Sequence, residues 1–138
     1  MDIEKLKRVR LEQDGLSKTL GMDFISTPEP DTCMARMKVG RHNRQVFGFL
    51  SGGASLALAE NLAGIGSMAL CPGKICLGIN VTGNHMKAVL EGDTVTAYGR
   101  CIHKGRTLHL WHIELKNNAG ELISSVEGTN FILTPRTK

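Results

Sequence analysis

At 138 residues the chain is long enough for one domain and too short for two ordinary ones. Hydrophobic residues make up 41% and charged residues 22%, with 16 Gly and 4 Pro, which excludes disordered and collagen-like classes. The net charge of +4 divides evenly, +2 in residues 1–44 and +2 in residues 45–138, so no basic tail or stripe marks a nucleic-acid binder, although a modest anionic ligand fits.

Residues 3–20 carry Ile3, Leu6, Val9, Leu16 and Leu20 among charges, a pattern that predicts one N-terminal surface helix over residues 1–20, ending at Gly21. The charged start, Met1-Asp2-Ile3-Glu4-Lys5, has no apolar signal segment. Cys33, Cys71, Cys76 and Cys101 show neither CxxC spacing nor a disulfide framework, and Cys71 and Cys76 read as core or helix-end residues. Together these features predict a cytoplasmic protein with reduced thiols. The sequon Asn80-Val81-Thr82 then reads as accidental. Pro28 and Pro30 separate Met22-Asp23-Phe24-Ile25 from Cys33-Met34-Ala35-Arg36-Met37, which predicts two short strands joined by a proline-marked turn.

From Gln45 to Gly73 the one charged residue among 29 is Glu60. Within that stretch Gly52–Leu70 is rich in Ala, Leu and Met and predicts a helix, residues 52–70, whose apolar positions surround the axis. Such a helix is buried in a domain or crosses a membrane. A carboxylate at a bilayer centre costs roughly 2.5–3.5 kcal/mol, so a domain interior is the expectation and no membrane partner is implied. After Pro72-Gly73 come Ile75–His85, Thr94–His103, Thr107–Lys116 and Glu121–Leu133, rich in Val, Ile, Leu and Thr and separated by turn sequences. They predict an antiparallel meander, and with the helix an α+β domain in which a sheet wraps a long central helix.

A lone carboxylate inside an apolar helix needs a partner, an exposed face or a function, because burying it unpaired costs several kcal/mol or raises its pKa. Three readings stand: a Glu60 paired with Lys or Arg from the sheet, a Glu60 at an exposed helix face, or a catalytic carboxylate in a cleft. The helix start bears on the third. Ser51-Gly52-Gly53 places residues without Cβ where backbone N–H groups are free and the dipole is positive, an end that can hold a carbonyl oxygen or oxyanion. Alternatively Ser51 N-caps the helix and the glycines ease packing.

Gly52 and Glu60 are eight residues apart, about 12 Å along a helix axis. One carbonyl carbon cannot lie about 3 Å from both within a single chain, so a shared site takes the helix end from one subunit and Glu60 from another. Two helices antiparallel across a twofold axis provide this, which makes an obligate dimer the expectation.

Other constellations are weaker. His109 and His112, three apart on a predicted strand, point to opposite faces and cannot share a metal, and no metal site is expected. His85 and His103 lie near turns, as surface residues or ligand contacts. No Gly-Xaa-Ser-Xaa-Gly elbow, phosphate loop or dinucleotide fingerprint occurs. Residues 74–106 carry a local charge of +3, read either as sheet-edge solvation or as a phosphate clamp built from Lys87 and the Lys104-Gly105-Arg106 turn.

The run Gln45-Val46-Phe47-Gly48-Phe49-Leu50-Ser51-Gly52-Gly53-Ala54-Ser55, followed by Leu58-Ala59-Glu60, resembles the hotdog-fold acyl-CoA thioesterases of the phenylacetate-pathway and 4-hydroxybenzoyl-CoA type. It is most similar to the branch holding the 1,4-dihydroxy-2-naphthoyl-CoA and enterobactin-proofreading thioesterases. The likeness continues through Asn84-His85-Met86-Lys87-Ala88-Val89-Leu90-Glu91-Gly92-Asp93 and His103-Lys104-Gly105-Arg106, covering about residues 20–133.

The resemblance implies a single hotdog domain over residues 1–138, a homodimer with a continuous sheet, often a tetramer, and hydrolysis of an acyl-CoA or aroyl-CoA. It places the nucleophile or general base on Glu60, the glutamine that orients the thioester on Gln45, and the carbonyl-polarising amide on Gly52 or Gly53. CoA contacts fall on Gly78, on His85, Met86, Lys87 and Ala88, and on His103, Lys104, Gly105, Arg106, Thr107 and Leu108, with Arg106 meeting phosphate. CoA is part of the substrate, and no cofactor is implied. Two positions depart from the family pattern: Ser51 stands where the enterobactin-type enzymes usually carry histidine, and Gly64 where Ser or Thr often stands. Ser51 can still donate a hydrogen bond to the carbonyl. The alternative these departures leave open is a non-catalytic acyl-CoA-binding or sensing protein on the same fold. A hotdog dehydratase would normally need an Asp/His pair in place of the lone Glu60.

Overall fold

The computed structural model describes residues 1–12 and 15–136, and their side chains apart from those of residues 9–12. Its elements run α1 (Glu4–Glu12), α2 (Leu16–Leu20), β1 (Met22–Ile25), β2 (Thr32–Lys38), α3 (Gly52–Leu70), β3 (Ile75–His85), β4 (Thr94–Lys104), β5 (Leu108–Lys116) and β6 (Leu122–Leu133). The expected helix at 52–70 and the strand at 75–85 agree residue for residue with α3 and β3.

Two expectations need correction. The N-terminal helix over 1–20 is two short helices, the second entered through an extended Gly15. Glycine is a poor interior helix residue, and the side-chain spacing alone could not register that break; Val9 lies outside the described side chains. The strands after α3 are also not a simple meander. The sheet order is β1-β2-β4-β5-β6-β3, so β4, β5 and β6 form the meander while β3 pairs with β6 and occupies an edge. Segment 86–93 carries the chain back across the end of the sheet to β4. All pairings are antiparallel.

The sheet curls round α3. On the helix Leu58, Ala59, Leu62, Ala63 and Ile65 are buried against Met37 of β2, Val95 and Ala97 of β4, Trp111, Ile113 and Leu115 of β5, and Val126 of β6. Alternation along β5 is strict, with His109, Trp111, Ile113 and Leu115 inward and His112 and Glu114 outward, as period two requires. Bulges at Gly78/Asn80 in β3 and at Cys101/His103 in β4 bend the sheet round the helix. The tightest contact is at Gly66, where a β-carbon would lie 2.4 Å from the Trp111 ring. Cys71 caps the C-terminal end of α3, its thiol donating to the Ser67 carbonyl at 2.8 Å. Among the described residues no helix is long and apolar enough to cross a membrane.

Candidate active site

The N-terminal end of α3 is built by a crossing of two loops. Leu50 donates to the Val89 carbonyl at 2.8 Å, Glu91 to Gly48 at 3.1 Å, and Ser51 to Asn43 at 2.9 Å. These bonds bring Gln45, Gly52 and His85–Ala88 to one groove of about 260 Å³ that Ser55 and Ser124 also line. Ser51 occupies the N-cap position in an extended conformation, and its hydroxyl makes no capping bond. The first-turn amides therefore keep the unsatisfied donor character of an uncapped helix start. Gly52 faces the groove, while Ser51 and Gly53 border a separate cavity against Leu16 and Leu20 of α2. The structure thus separates the paired glycines that the sequence left equivalent.

His85 closes the groove. Its Nδ1 lies 2.7 Å from Ser124 Oγ, and its ring sits over Gly52, where an added β-carbon would fall 2.9 Å from Cδ2 and Nε2. Ser124, buried at the inner face of β6, escaped the sequence reading because nothing but strand pairing places it opposite His85. Gln45 is half-buried, with its Oε1 accepting the Phe47 backbone N–H.

Glu60 lies at the middle of α3, well removed from that groove. Its side chain is half-buried and rests on Gly78 of β3, whose missing β-carbon would stand 3.0 Å from Oε2. No described residue gives it an ion pair or a hydrogen bond, in contrast to Glu29, Glu91, Glu114, Glu121 and Glu127, each within ion-pair distance of a basic side chain. The sheet-paired reading of Glu60 therefore falls away.

The β4–β5 hairpin forms a third locus. Gly105 donates to the Leu108 carbonyl at 2.9 Å, and a β-carbon on Gly105 would lie 2.8 Å from His103 Nε2. Leu108 faces Phe131, which faces Leu77, so the hairpin lies at the Gly78 end of β3. His85 and Lys87 lie at its other end, roughly 20 Å along the strand. One chain therefore cannot bring Lys87 and Arg106 to a single phosphate. The excess positive charge of this region is also mostly matched: Lys87 pairs with Glu121, Lys104 with Asp31 at 3.1 Å, and Arg100 with Glu29 at 2.9 Å. The Lys87 ammonium, hydrogen-bonded to Glu121, holds that carboxyl below its ordinary range. Arg106 is exposed and has no partner among the described residues.

His109 and His112 do point to opposite faces. His112 pairs outside with Glu127 at 2.7 Å, whereas His109 is buried with its Nδ1 2.9 Å from Ser67 Oγ. Burial, with Lys104 and His103 nearby, holds the His109 pKa below its ordinary value. The cluster of Ser67, His109, Trp111 and Asn130 went unread in the sequence. Its signal was the period-two alternation of β5, which turns His109 inward with Trp111, and a buried imidazole requires a partner. Among the described residues no cluster of His, Cys, Asp or Glu could hold a metal ion.

Known proteins match both sequence and fold. The thioesterase superfamily profile matches residues 47–124. A 1,4-dihydroxy-2-naphthoyl-CoA hydrolase of Listeria monocytogenes is 32% identical over 110 residues, 79% of this chain and 88% of that protein. A mutant of the thioesterase PA1618 of Pseudomonas aeruginosa superposes with a TM-score of 0.86 at 32% identity, covering 96% of this chain and 94% of that one. The thioesterase HI1161 of Haemophilus influenzae gives a TM-score of 0.84 at 30% identity, covering 97% and 92%. The fold is a hotdog, α+β, with a six-stranded antiparallel sheet round a central helix. The chain belongs to the thioesterase superfamily, and it is a hydrolase of thioesters.

Proposed function

We propose that this chain hydrolyses an acyl-CoA whose acyl group is aromatic, with Glu60 as the group that acts on the thioester. The observation that carries the reading is the state of Glu60: a half-buried carboxylate inside an otherwise uncharged 29-residue stretch, with no cation or donor from any described residue and only the bare backbone of Gly78 beneath it. Such a group is free to act on a substrate. Support for an aromatic acyl group comes from the Listeria monocytogenes relative and an Escherichia coli relative 33% identical over 104 residues, both named 1,4-dihydroxy-2-naphthoyl-CoA hydrolases.

Two balanced routes use Glu60. In one its carboxylate attacks the thioester carbon, the C–S bond breaks, CoA leaves as thiolate, and water then cleaves the mixed anhydride. In the other it takes a proton from water as the water attacks the same carbon, and the tetrahedral adduct collapses with cleavage of the C–S bond, releasing the acid and CoA thiolate, which takes up the proton. Either way negative charge develops on the carbonyl oxygen, which first-turn amides at Gly52, with Gly53 behind them, stabilise. Gln45 orients the thioester, His85–Ala88 and the 103–108 hairpin hold CoA, and Arg106 meets a phosphate. Ser51 borders the α2 cavity, so catalysis relies on backbone amides at this end of the helix.

The roughly 12 Å between Gly52 and Glu60 calls for a dimer in which each site combines one helix start with the facing subunit's Glu60. The free edge of β3, with Ile75, Leu77 and Ile79 exposed, and the projecting Val46 and Phe47, 93% and 80% exposed, support an interface between copies. Pairing of such dimers into a tetramer belongs to the same proposal. Thiol release from benzoyl-, naphthoyl-, acetyl-, octanoyl- and palmitoyl-CoA tests the reading. Aroyl esters are expected to turn over fastest, and Glu60→Gln is expected to lose at least about a hundredfold in kcat. A Glu60→Gln protein as fast as wild type removes Glu60 from the chemistry. Single-turnover hydrolysis in ¹⁸O water tests for the anhydride: label found on Glu60 identifies that route, with water attacking the Glu60 carbonyl carbon, since the general-base route puts label only in the released acid.

A further inference from the structure

Gly78, Asn130 and His109 form one row across β3, β6 and β5, each facing the next in the ladder. All three face α3. Glu60 rests on Gly78, and the side chains of Asn130 and His109 are buried, 2% and 3% exposed. Asn130 Nδ2 donates to the Ala63 carbonyl at 3.0 Å and to Ser67 Oγ at 2.9 Å. Trp111 Nε1 donates to the same Ser67 oxygen at 2.9 Å. Both lone pairs of that hydroxyl are then engaged, so its proton is left for His109 Nδ1, 2.9 Å away. His109 is thereby held neutral, with its own proton on Nε2. A single hydroxyl of α3 joins side chains of two strands.

Glu60, Ala63 and Ser67 stand at i, i+3 and i+7 and so share one helix face. The Cys33 thiol reaches the Leu62 carbonyl only at a long 3.7 Å, and the other buried side chains that α3 sets against the sheet are mainly Leu, Ile and Ala, whose attraction has no direction and tolerates a small slide or roll. Hydrogen bonds to a carbonyl and a hydroxyl do not. They fix the height and rotation of α3 in the row that contains Gly78.

We propose that Asn130, acting through Ser67 and Ala63, is a positioning residue for Glu60, setting where its carboxylate stands above Gly78. The inference rests on the reading of Glu60 as the reacting group. Loss of this clamp displaces the carboxylate by fractions of an ångström from the thioester carbon, a misplacement of the kind that costs rate while leaving the His85–Ala88 contacts at the other end of β3 intact.

The test compares Asn130→Ala, Ser67→Ala, Ser67→Thr and Glu60→Gln in the full-length protein with a core control, Val95→Ala, at the other end of the sheet. Asn130→Ala and Ser67→Ala are expected to lower kcat at least tenfold with KM for the CoA ester within threefold. Ser67→Thr keeps the hydroxyl and is expected to return kcat to within threefold of wild type. Val95→Ala is expected to lower Tm with kcat within twofold. If Asn130→Ala does not fold, the Ser67 pair decides, since Ser67→Ala removes one atom. The inference is overturned if Asn130→Ala or Ser67→Ala loses no more kcat than Val95→Ala, or if Ser67→Thr is no better than Ser67→Ala. Glu60→Gln keeps two failures apart: an inactive Glu60→Gln beside an unaffected Asn130→Ala sinks this inference alone, and an active Glu60→Gln sinks the reading beneath it.

Discussion

The carboxylate of Glu60 lies directly on Gly78, with Oε2, Cδ and Cγ at 3.0, 3.1 and 3.3 Å from the place where a side chain on Gly78 would begin. An acid on α3 and a glycine on the sheet's edge strand thus define one position together. The adjoining bulge at Gly78/Asn80 bends the edge strand at this point, a common device beside active sites.

Gly78→Ala tests that relationship. Its methyl group meets only the end of the flexible Glu60 side chain, which must move aside by a few tenths of an ångström while the backbone of β3 stays in place. We expect kcat to fall about tenfold or more with little loss of Tm. Steady-state kinetics beside a melting curve checks this, and an unchanged kcat would show that the position of Glu60 over the strand is unimportant.

Much of this architecture was legible in the sequence because its signals are local. The all-round apolar character of residues 52–70 gave α3 to the residue, and the Asn117–Gly120 turn with its left-handed Gly120 marked the β5–β6 hairpin. The place of β3 was not legible, since pairing with β6 rather than β4 is a long-range choice that turn chemistry at Glu91-Gly92-Asp93 cannot report. At the site, Glu60 stood out as a charge in an uncharged stretch. Ser124 beside His85, and Ser67 and Asn130 beside His109, did not, because small polar residues are unremarkable until the fold sets them against an imidazole.

Subunit complementation tests the shared site. Gly52→Val blocks the helix start, its side chain running into the His85 ring at 2.9 Å, while Glu60→Gln removes the acid. Each homodimer is expected to be nearly inactive. After mixed refolding, half the dimers are hybrids and each hybrid has one site with both parts intact, so activity should return to about a quarter of wild type. A mixture no more active than its components would place the whole site within one chain.

The buried His109 gives stability a pH dependence of known sign. Its folded pKa lies below the ordinary value of about 6.5, held down first by burial and then by Lys104 and His103, with Asp31 opposing. Below that ordinary value the unfolded chain binds a proton that the folded chain refuses, so this contribution is present above about pH 6.5 and is lost as pH falls toward the folded pKa, by at most about 1.4 kcal/mol per pH unit. Urea unfolding at pH 7.5 and 5.5 should show wild type losing more stability across the interval than His109→Asn. Equal losses would mean that His109 is protonated in the folded protein.

Gly66→Ala sets two opposed effects against each other. Alanine in place of glycine inside a helix is worth about 1 kcal/mol in favour of the variant. Its methyl group, however, would stand 2.4 and 2.6 Å from Trp111 Cη2 and Cζ2 and 3.0 Å from Cys33 Sγ. Both neighbours are fully buried, and the indole is held at its far end by the Nε1 bond to Ser67, so neither can swing out of the way. Overpacking a core of this kind costs roughly 1–3 kcal/mol, and a contact this short between rigid groups belongs at the upper end. We therefore expect net destabilisation of about 1–2 kcal/mol, seen as a lower urea midpoint with an unchanged slope. The strain falls on Trp111 and through it on the Ser67 hydroxyl, so kcat should fall as well. A Gly66→Ala protein more stable than wild type would mean that α3 can lift off β5 at this contact without cost.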